Sequence, residues 1–248
     1  MEENKFKFPT ETVELPSKGL VYSSSSPLSK GTVEMKYMTA KEEDILTNQA
    51  YIKKGVVFDK LLKSLVVTEG IELDDLIVGD KNALLVASRI LGYGGDYKFS
   101  LYGTDYNVDL TTLENKFFGD ENFEKGKNEF KFVLPNSKIE ISFKLLDGKA
   151  EKAIDAELEG LRKINKDLSP ELSTRLKHLI LSVDGNYEQK VVREFVDNYL
   201  LAKDSRALRD HIKNFQPDVN MTINHKDEDG FEEEVTIPVT LNFFWPES

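Results

Sequence analysis

Three histidines, His178, His211 and His225, are the chain's whole supply of imidazole. None stands in an HExxH pair or another short metal spacing, so surface or capping roles are expected for each. Cysteine is absent. That removes disulfides, thiolate zinc sites, iron–sulfur clusters and cysteine nucleophiles, and it fits a reducing cytoplasm. The acidic stretch Asp227-Glu-Asp-Gly230 invites a calcium test. With Gly230 as the sixth position of a calcium loop, His225 and Thr236 fall at the first and twelfth, where Asp and Glu are needed. The calcium reading fails. Gly92-Tyr-Gly-Gly95 follows a helical pattern rather than a strand and lacks a Gly-Lys-Ser/Thr, so it reads as a helix stop, not a phosphate loop. Asp204-Ser-Arg-Ala-Leu-Arg-Asp-His211 gathers acid, base and hydroxyl, which a helix cap with ion pairs three and four residues apart explains; interface contact is the other reading. No GxSxG, SxxK or paired-carboxylate context occurs. No enzyme is expected.

The C-terminal run Ile237-Pro-Val-Thr-Leu-Asn-Phe-Phe-Trp-Pro246 carries the single tryptophan beside two phenylalanines. Such a cluster either docks on its own domain or anchors a partner. Read as a strand, it turns Phe244 away from Phe243 and Trp245, leaving one face for a partner.

Bulk composition limits the partner. The chain has 248 residues, 40% hydrophobic and 31% charged, with a net charge of −11. It can hold one large domain or two small ones. The negative balance opposes binding to a phosphate backbone, so no nucleic acid is expected. No run is long and apolar enough for a membrane span, and Met1-Glu-Glu-Asn-Lys5 lacks the basic-then-apolar pattern of a signal peptide.

The elements that must position these residues read as mixed α+β. Leu15-Pro-Ser-Lys-Gly19 is a turn, with Pro presetting φ and Gly supplying a positive one. Val33, Met35 and Tyr37 alternate as in a half-buried strand. Thr39-Ala-Lys-Glu42 is a capping box opening a helix to about Tyr51. Phe58, Leu61, Leu62 and Leu65 stripe a second helix, and Leu84, Leu85, Ser88 and Leu91 a third that begins after Asp80. Residues 96–146 alternate as a small antiparallel β region, with a polar loop at Gly119–Gly126. Helical spacing returns with Ile154, Leu158 and Leu161, then with Leu172, Leu176, Leu179, Ile180 and Val183 after a Ser169-Pro170 start. Val192, Phe195, Val196 and Tyr199 follow. Asp204 caps a last helix bearing Leu208, Ile212 and Phe215, and a hairpin closes around Asp227–Gly230. The expected division is 1–95 (extended segment plus helices), 96–146 (β region) and 147–248 (helices ending in a hairpin), the first and third able to form one compact domain.

Several stretches, taken in order, resemble the baseplate hub and hub-assembly family of T-even-like contractile-tailed phages. They are Leu15-Pro-Ser-Lys-Gly19 with Tyr22, Met38-Thr-Ala-Lys-Glu-Glu-Asp-Ile-Leu46, Gly79-Asp-Lys, Arg89-Ile-Leu-Gly-Tyr-Gly94, Val183-Asp-Gly-Asn186, Asp204-Ser-Arg-Ala-Leu-Arg209, Pro217-Asp-Val, Ile237-Pro-Val and Phe243-Phe-Trp-Pro246. The resemblance implies a structural or chaperone-like role, in the host cytoplasm during assembly, with the virion baseplate as the other location it leaves open. Contacts would be to other hub proteins or the tape-measure protein, and no catalytic residue is implied. Many relatives carry Cys-x-x-Cys hairpins that look like zinc ribbons. This chain lacks those ligands, so no zinc or other cofactor is expected, and a closed Asp-Gly turn stands in its place. Candidate partner-contacting residues are Phe243, Phe244, Trp245, Pro246, Leu15, Pro16, Lys18, Arg206 and Arg209. Two alternatives stay open, a hub-associated peptidoglycan hydrolase working through a carboxyl of raised pKa and a binding module unrelated to phage. Oligomeric state is open.

Overall fold

The computed structural model describes residues 9–118, 124–165, 170–226 and 232–244. Strand β1 (Thr10–Glu14) pairs antiparallel with β2 (Thr32–Lys36), Val13 facing Val33. The segment between them makes the expected turn. Lys18 and Gly19 take φ of 52° and 73°. A Cβ on Gly19 would lie 2.6 Å from the Ser29 carbonyl oxygen, so glycine is required there for space as well as for φ.

Helix α1 (Ala40–Thr47) starts at Thr39, whose amide donates to Glu42 Oε2 at 2.9 Å. The expected single helix to Tyr51 is instead two. Asn48 leaves helical geometry and its side chain caps a second helix, α2 (Gln49–Lys53), by accepting from the amides of Ala50 and Tyr51. An asparagine gains more from capping than from a helix interior. Helix α3 (Val57–Leu65) buries Leu61, Leu62 and Leu65 completely. Helix α4 (Val78–Tyr93) begins two residues before Asp80, not after it, and ends at Gly94 with φ 82°.

The middle strands follow the alternation. β3 (Asp96–Leu101) and β4 (Thr104–Asp109) form a hairpin in which Phe99 faces Tyr106. β5 is the pair Asn115–Lys116. β6 (Phe130–Val133) and β7 (Glu140–Phe143) form a second hairpin. Then α5 (Gly148–Ile164) starts on Asp147, whose side chain accepts from the Ala150 amide. Helix α6 (Glu171–Leu179) stops before Ile180, and Ile180–Val183 is a strand, β8, paired with β7. The helical spacing expected through Val183 thus breaks at a β-branched pair that completes a sheet. Val183 and Asn186 bridge a tight turn at Asp184-Gly185.

Helix α7 (Gln189–Asn198) buries Val192, Phe195 and Val196, and α8 (Ala202–Phe215) buries Leu208, Ile212 and Phe215. β9 (Asp218–Val219) pairs with β5, and β10 (Thr222–Lys226) with β11 (Glu232–Thr236). The turn expected at Asp227–Gly230 and the helix-start Ser169 lie outside the described residues, as does most of the Gly119–Gly126 loop. Pairing joins the second and third stretches read from sequence, β7 with β8 and β5 with β9, and one apolar cluster drawn from all three includes Leu15, Leu84, Phe99, Phe143, Leu208 and Phe243. The class is mixed α+β with small antiparallel sheets and C-terminal strands. Among the described residues no helix is long and apolar enough to cross a membrane.

The aromatic terminus departs from its expected strand. Leu241–Phe244 is a single 3₁₀ turn, and both phenylalanines are fully buried. Phe243 meets Tyr97 edge-on at 4.9 Å and Phe244 tilts against Phe58 at 5.5 Å. A 3₁₀ turn brings neighbouring rings toward the same side, which a strand cannot do. Of the two readings, self-docking describes these rings. Each contributes roughly 2–3 kcal/mol of burial.

Candidate functional site

Helix α4 is where the sequence motifs converge. Asp80, in its first turn, is fully buried. Ser17 donates its amide to Asp80 Oδ1 at 2.9 Å and its hydroxyl to Oδ2 at 2.6 Å. The Tyr22 phenol donates to the same Oδ2 at 2.6 Å and accepts from the Ile77 amide at 3.1 Å. Ser17 Oγ in turn accepts from the Gly19 amide at 3.1 Å. Burial pushes the Asp80 carboxyl up, against the pull of the Ser17 and Tyr22 donors. Burial also raises the Tyr22 phenol, with the Asp80 charge beside it. The Ser17 amide and hydroxyl both reach α4, so the Leu-Pro-Ser-Lys-Gly segment is a strap across the helix N-terminus. Its Leu15 and Pro16 are buried; Lys18 is exposed.

The same helix is fixed again one residue earlier and at its far end. A Cβ on Gly79 would lie 1.9 Å from the Pro217 carbonyl oxygen, so the Pro217-Asp-Val219 segment packs directly on bare backbone. Asn82 Nδ2 donates to Asp218 Oδ1 at 3.0 Å across this contact. Near the C-terminus, buried Arg89 donates to the carbonyl oxygens of Gly94 at 2.7 Å and Asp96 at 2.9 Å. Its guanidinium lies 5.4 Å from the Tyr93 ring and 5.8 Å from that of Tyr97. Burial pulls the Arg89 pKa down. The clamp holds the helix end against β3 and uses the cation where the helix dipole is negative.

Two more buried carboxylates tie distant segments. Glu42 receives Lys36 Nζ at 2.9 Å, Ser64 Oγ at 2.6 Å and Thr39 Oγ1 at 2.7 Å, joining β2, α1 and α3. Burial raises its pKa, but these donors outweigh it and leave it at about 2. Asp204 was expected to cap its own helix. Its oxygens instead accept from the amides of Asn136 and Ser137 at 2.8 and 2.9 Å and from the Asn136 side chain at 2.8 Å, pinning the β6–β7 turn onto α8. Burial again pushes up, and these donors bring the carboxyl to about 2. Leu201 occupies the cap position of α8.

The remaining sites lie on the surface. A concavity of about 1070 Å³ runs between α3, α4, α5 and α6. Five basic and five acidic side chains line it, so it offers no net field to a charged ligand. Lys81 pairs with Asp59 at 2.5 Å, and Arg175 grips Glu151 through both nitrogens at 2.8 and 2.9 Å. Asp80 does not line it. A smaller recess of about 340 Å³ has Lys116, Arg209 and Lys213 in its lining. Lys116 donates to the Lys213 carbonyl oxygen, and burial pulls its pKa down. Beside it Phe117 is 39% exposed with Lys18 Nζ 3.9 Å over its ring.

The candidate partner residues are therefore not gathered in one patch. Leu15, Pro16, Phe243 and Phe244 are buried within the chain. Arg209 lines a recess with Lys116 and Lys213, which had no local signal, and Lys18 lies over the Phe117 ring. Arg206 is exposed and lies 3.7 Å from Asp210 on α8, the helical pair expected there. Trp245 and Pro246 lie outside the described residues. His178 bonds Glu157 at 2.9 Å, His225 meets Tyr106 edge-on at 4.8 Å, and His211 stacks on Phe132 at 4.5 Å rather than standing on the surface or at a cap. Among the described residues no group of three or more His, Asp or Glu is placed to hold a metal ion. No family model, curated protein or solved structure matches this chain.

Proposed function

We propose that this chain is a structural or chaperone-like component of a contractile phage tail that helps build the central baseplate hub through contacts with other hub proteins or the tape-measure protein. One observation carries the reading. Ser17, Gly19, Tyr22 and Asp80 bond with one another, Gly79 packs on Pro217 and Asp218, and Arg89 bonds the Gly94 carbonyl, all of them residues of the motifs that resemble the hub family. Motif residues spent on holding the fold suit a protein whose work is done by its outer surface. The Asp80 carboxyl, which burial raises, has both oxygens engaged by Ser17 and Tyr22, which makes it a structural anchor rather than the free acid that the hydrolase alternative needs.

A nonsense mutation in the gene of the producing phage tests the proposal. Infected cells should accumulate heads but no contractile tails, and supplying the chain from a plasmid should restore them. Normal tails without the chain would overturn the reading. Turnover of cell-wall peptidoglycan by the purified chain, abolished by one carboxylate substitution, would put the enzyme in its place.

A further inference from the structure

The recess between β5 and α8 reverses the sign of an otherwise acidic molecule. Lys116, Arg209 and Lys213 line it, together with buried Leu179 and Ile212. Among the described residues none of these three cations is in an ion pair, whereas Lys81, Lys152, Arg175 and Arg193 all are. Asp218 also lines the recess, but its oxygens accept from Asn82 and from the Val219 amide. In a chain of net charge −11, three cations against the single carboxylate of Asp218 leave this pit net positive, a place suited to an anion. Screening over about 8 Å at physiological salt means that a bound group feels these neighbours more than the distant acids.

We propose that this recess seats a carboxylate-bearing segment of a protein partner, an acidic side chain lying among Lys116, Arg209 and Lys213 with an apolar neighbour against Leu179 and Ile212. Phe117, next to Lys116 in sequence, is exposed and carries Lys18 over its ring. Peptide is favoured over nucleic acid because a phosphate backbone needs a long cationic track. It is favoured over free phosphate because the Asp218 carboxylate repels a dianion more than a single carboxylate, and because Leu179 and Ile212 offer apolar contact that phosphate cannot use. The inference rests on the reading of the chain as a protein-binding assembly component and names the chemistry of the partner.

The test uses the full chain and a fluorescein-labelled peptide, acetyl-Glu-Glu-Leu-Glu-Glu-amide, followed by anisotropy. Saturable binding is expected that weakens about tenfold or more in the double variant Arg209→Glu, Lys213→Glu. Both residues are exposed, so the variant should unfold at the same temperature as the parent. A lysine peptide of the same length should bind the variant better than the parent. Equal binding of the acidic peptide to parent and variant overturns the proposal. So does displacement by inorganic phosphate as effective as by unlabelled peptide, or preferential binding of a single-stranded oligonucleotide. In infected cells, normal tails from the charge-reversed chain but none from the deletion would sink the recess while leaving the assembly role intact. Normal tails from both would remove both.

Discussion

The phenol of Tyr22 and the carboxylate of Asp80, 58 residues apart in sequence, are held 2.6 Å from each other in the interior. That bond, with the two from Ser17, closes the N-terminal strap onto α4. Tyr22→Phe removes a donor to the carboxylate and leaves the Ile77 amide without its acceptor. It should cost about 2 kcal/mol in urea unfolding. Asp80→Ala strands two hydroxyls and an amide at once and should cost about 3–5 kcal/mol. Losses under about 0.5 kcal/mol for both would mean that the strap is ornamental.

Two glycine-to-alanine changes should move stability in opposite directions. At Gly79 the new methyl meets the Pro217 carbonyl oxygen, a backbone atom that cannot swing aside. The expected loss is about 2–3 kcal/mol, more than the roughly 1 kcal/mol gained from helix propensity. Gly160, exposed on α5, has nothing within 4 Å of a Cβ. Gly160→Ala should raise stability by about 0.5–1 kcal/mol. Thermal melts of the pair check both signs.

Acid should unfold the protein in a defined window. Glu42, Asp204 and Glu157 each titrate at about 2 in the folded chain. For Glu157 the Arg193 hydrogen bonds are the main cause, and the nearby His178 adds to them. Their ordinary values are 4.5 for Glu and 3.8 for Asp, so the unfolded state binds more protons between those values and about 2. The stability that these groups contribute is complete above about pH 5 and is lost as the pH falls toward 2. Urea midpoints measured from pH 6 to pH 2 should drop over that span. Asp204→Asn should be less stable at neutral pH and show a shallower drop, and an unchanged slope would remove Asp204 from the account.

The buried aromatic terminus gives a fourth expectation. Phe244→Ala should destabilise the isolated chain by about 3–5 kcal/mol, because a ring packed on Phe58 is replaced by a cavity. Were Phe244 a partner anchor instead, the isolated chain would keep its melting temperature.

Local chemistry in the sequence carried much of the fold. Leucine stripes placed α3 and α4, alternating aromatics placed the two central hairpins, and Pro16 with Gly19 placed the strap. Most of the misreadings share a cause. Leu176, Leu179, Ile180 and Val183 continue a helical spacing, and only pairing with β7 turns the last four residues of that stretch into β8. Asp80 and Asp204 are each decided by what lies nearby in space, whereas Asn48 breaks its helix by a local cap. A carboxylate near a helix start reads as a cap, and nothing local reveals that Asp204 serves a turn 68 residues away. The basic recess was partly legible. Arg209 stood in a quoted motif, but Lys116 and Lys213, 97 residues apart, meet only through the β5–β9 pairing and α8.

The assembly role is tested most directly by cross-linking mass spectrometry on tails assembling in infected cells. The account predicts cross-links from lysines of this chain, Lys18, Lys116 and Lys213 foremost, to baseplate hub or tape-measure proteins. Hub and tape-measure proteins cross-linked to each other in the same sample, with none joined to this chain, would contradict it.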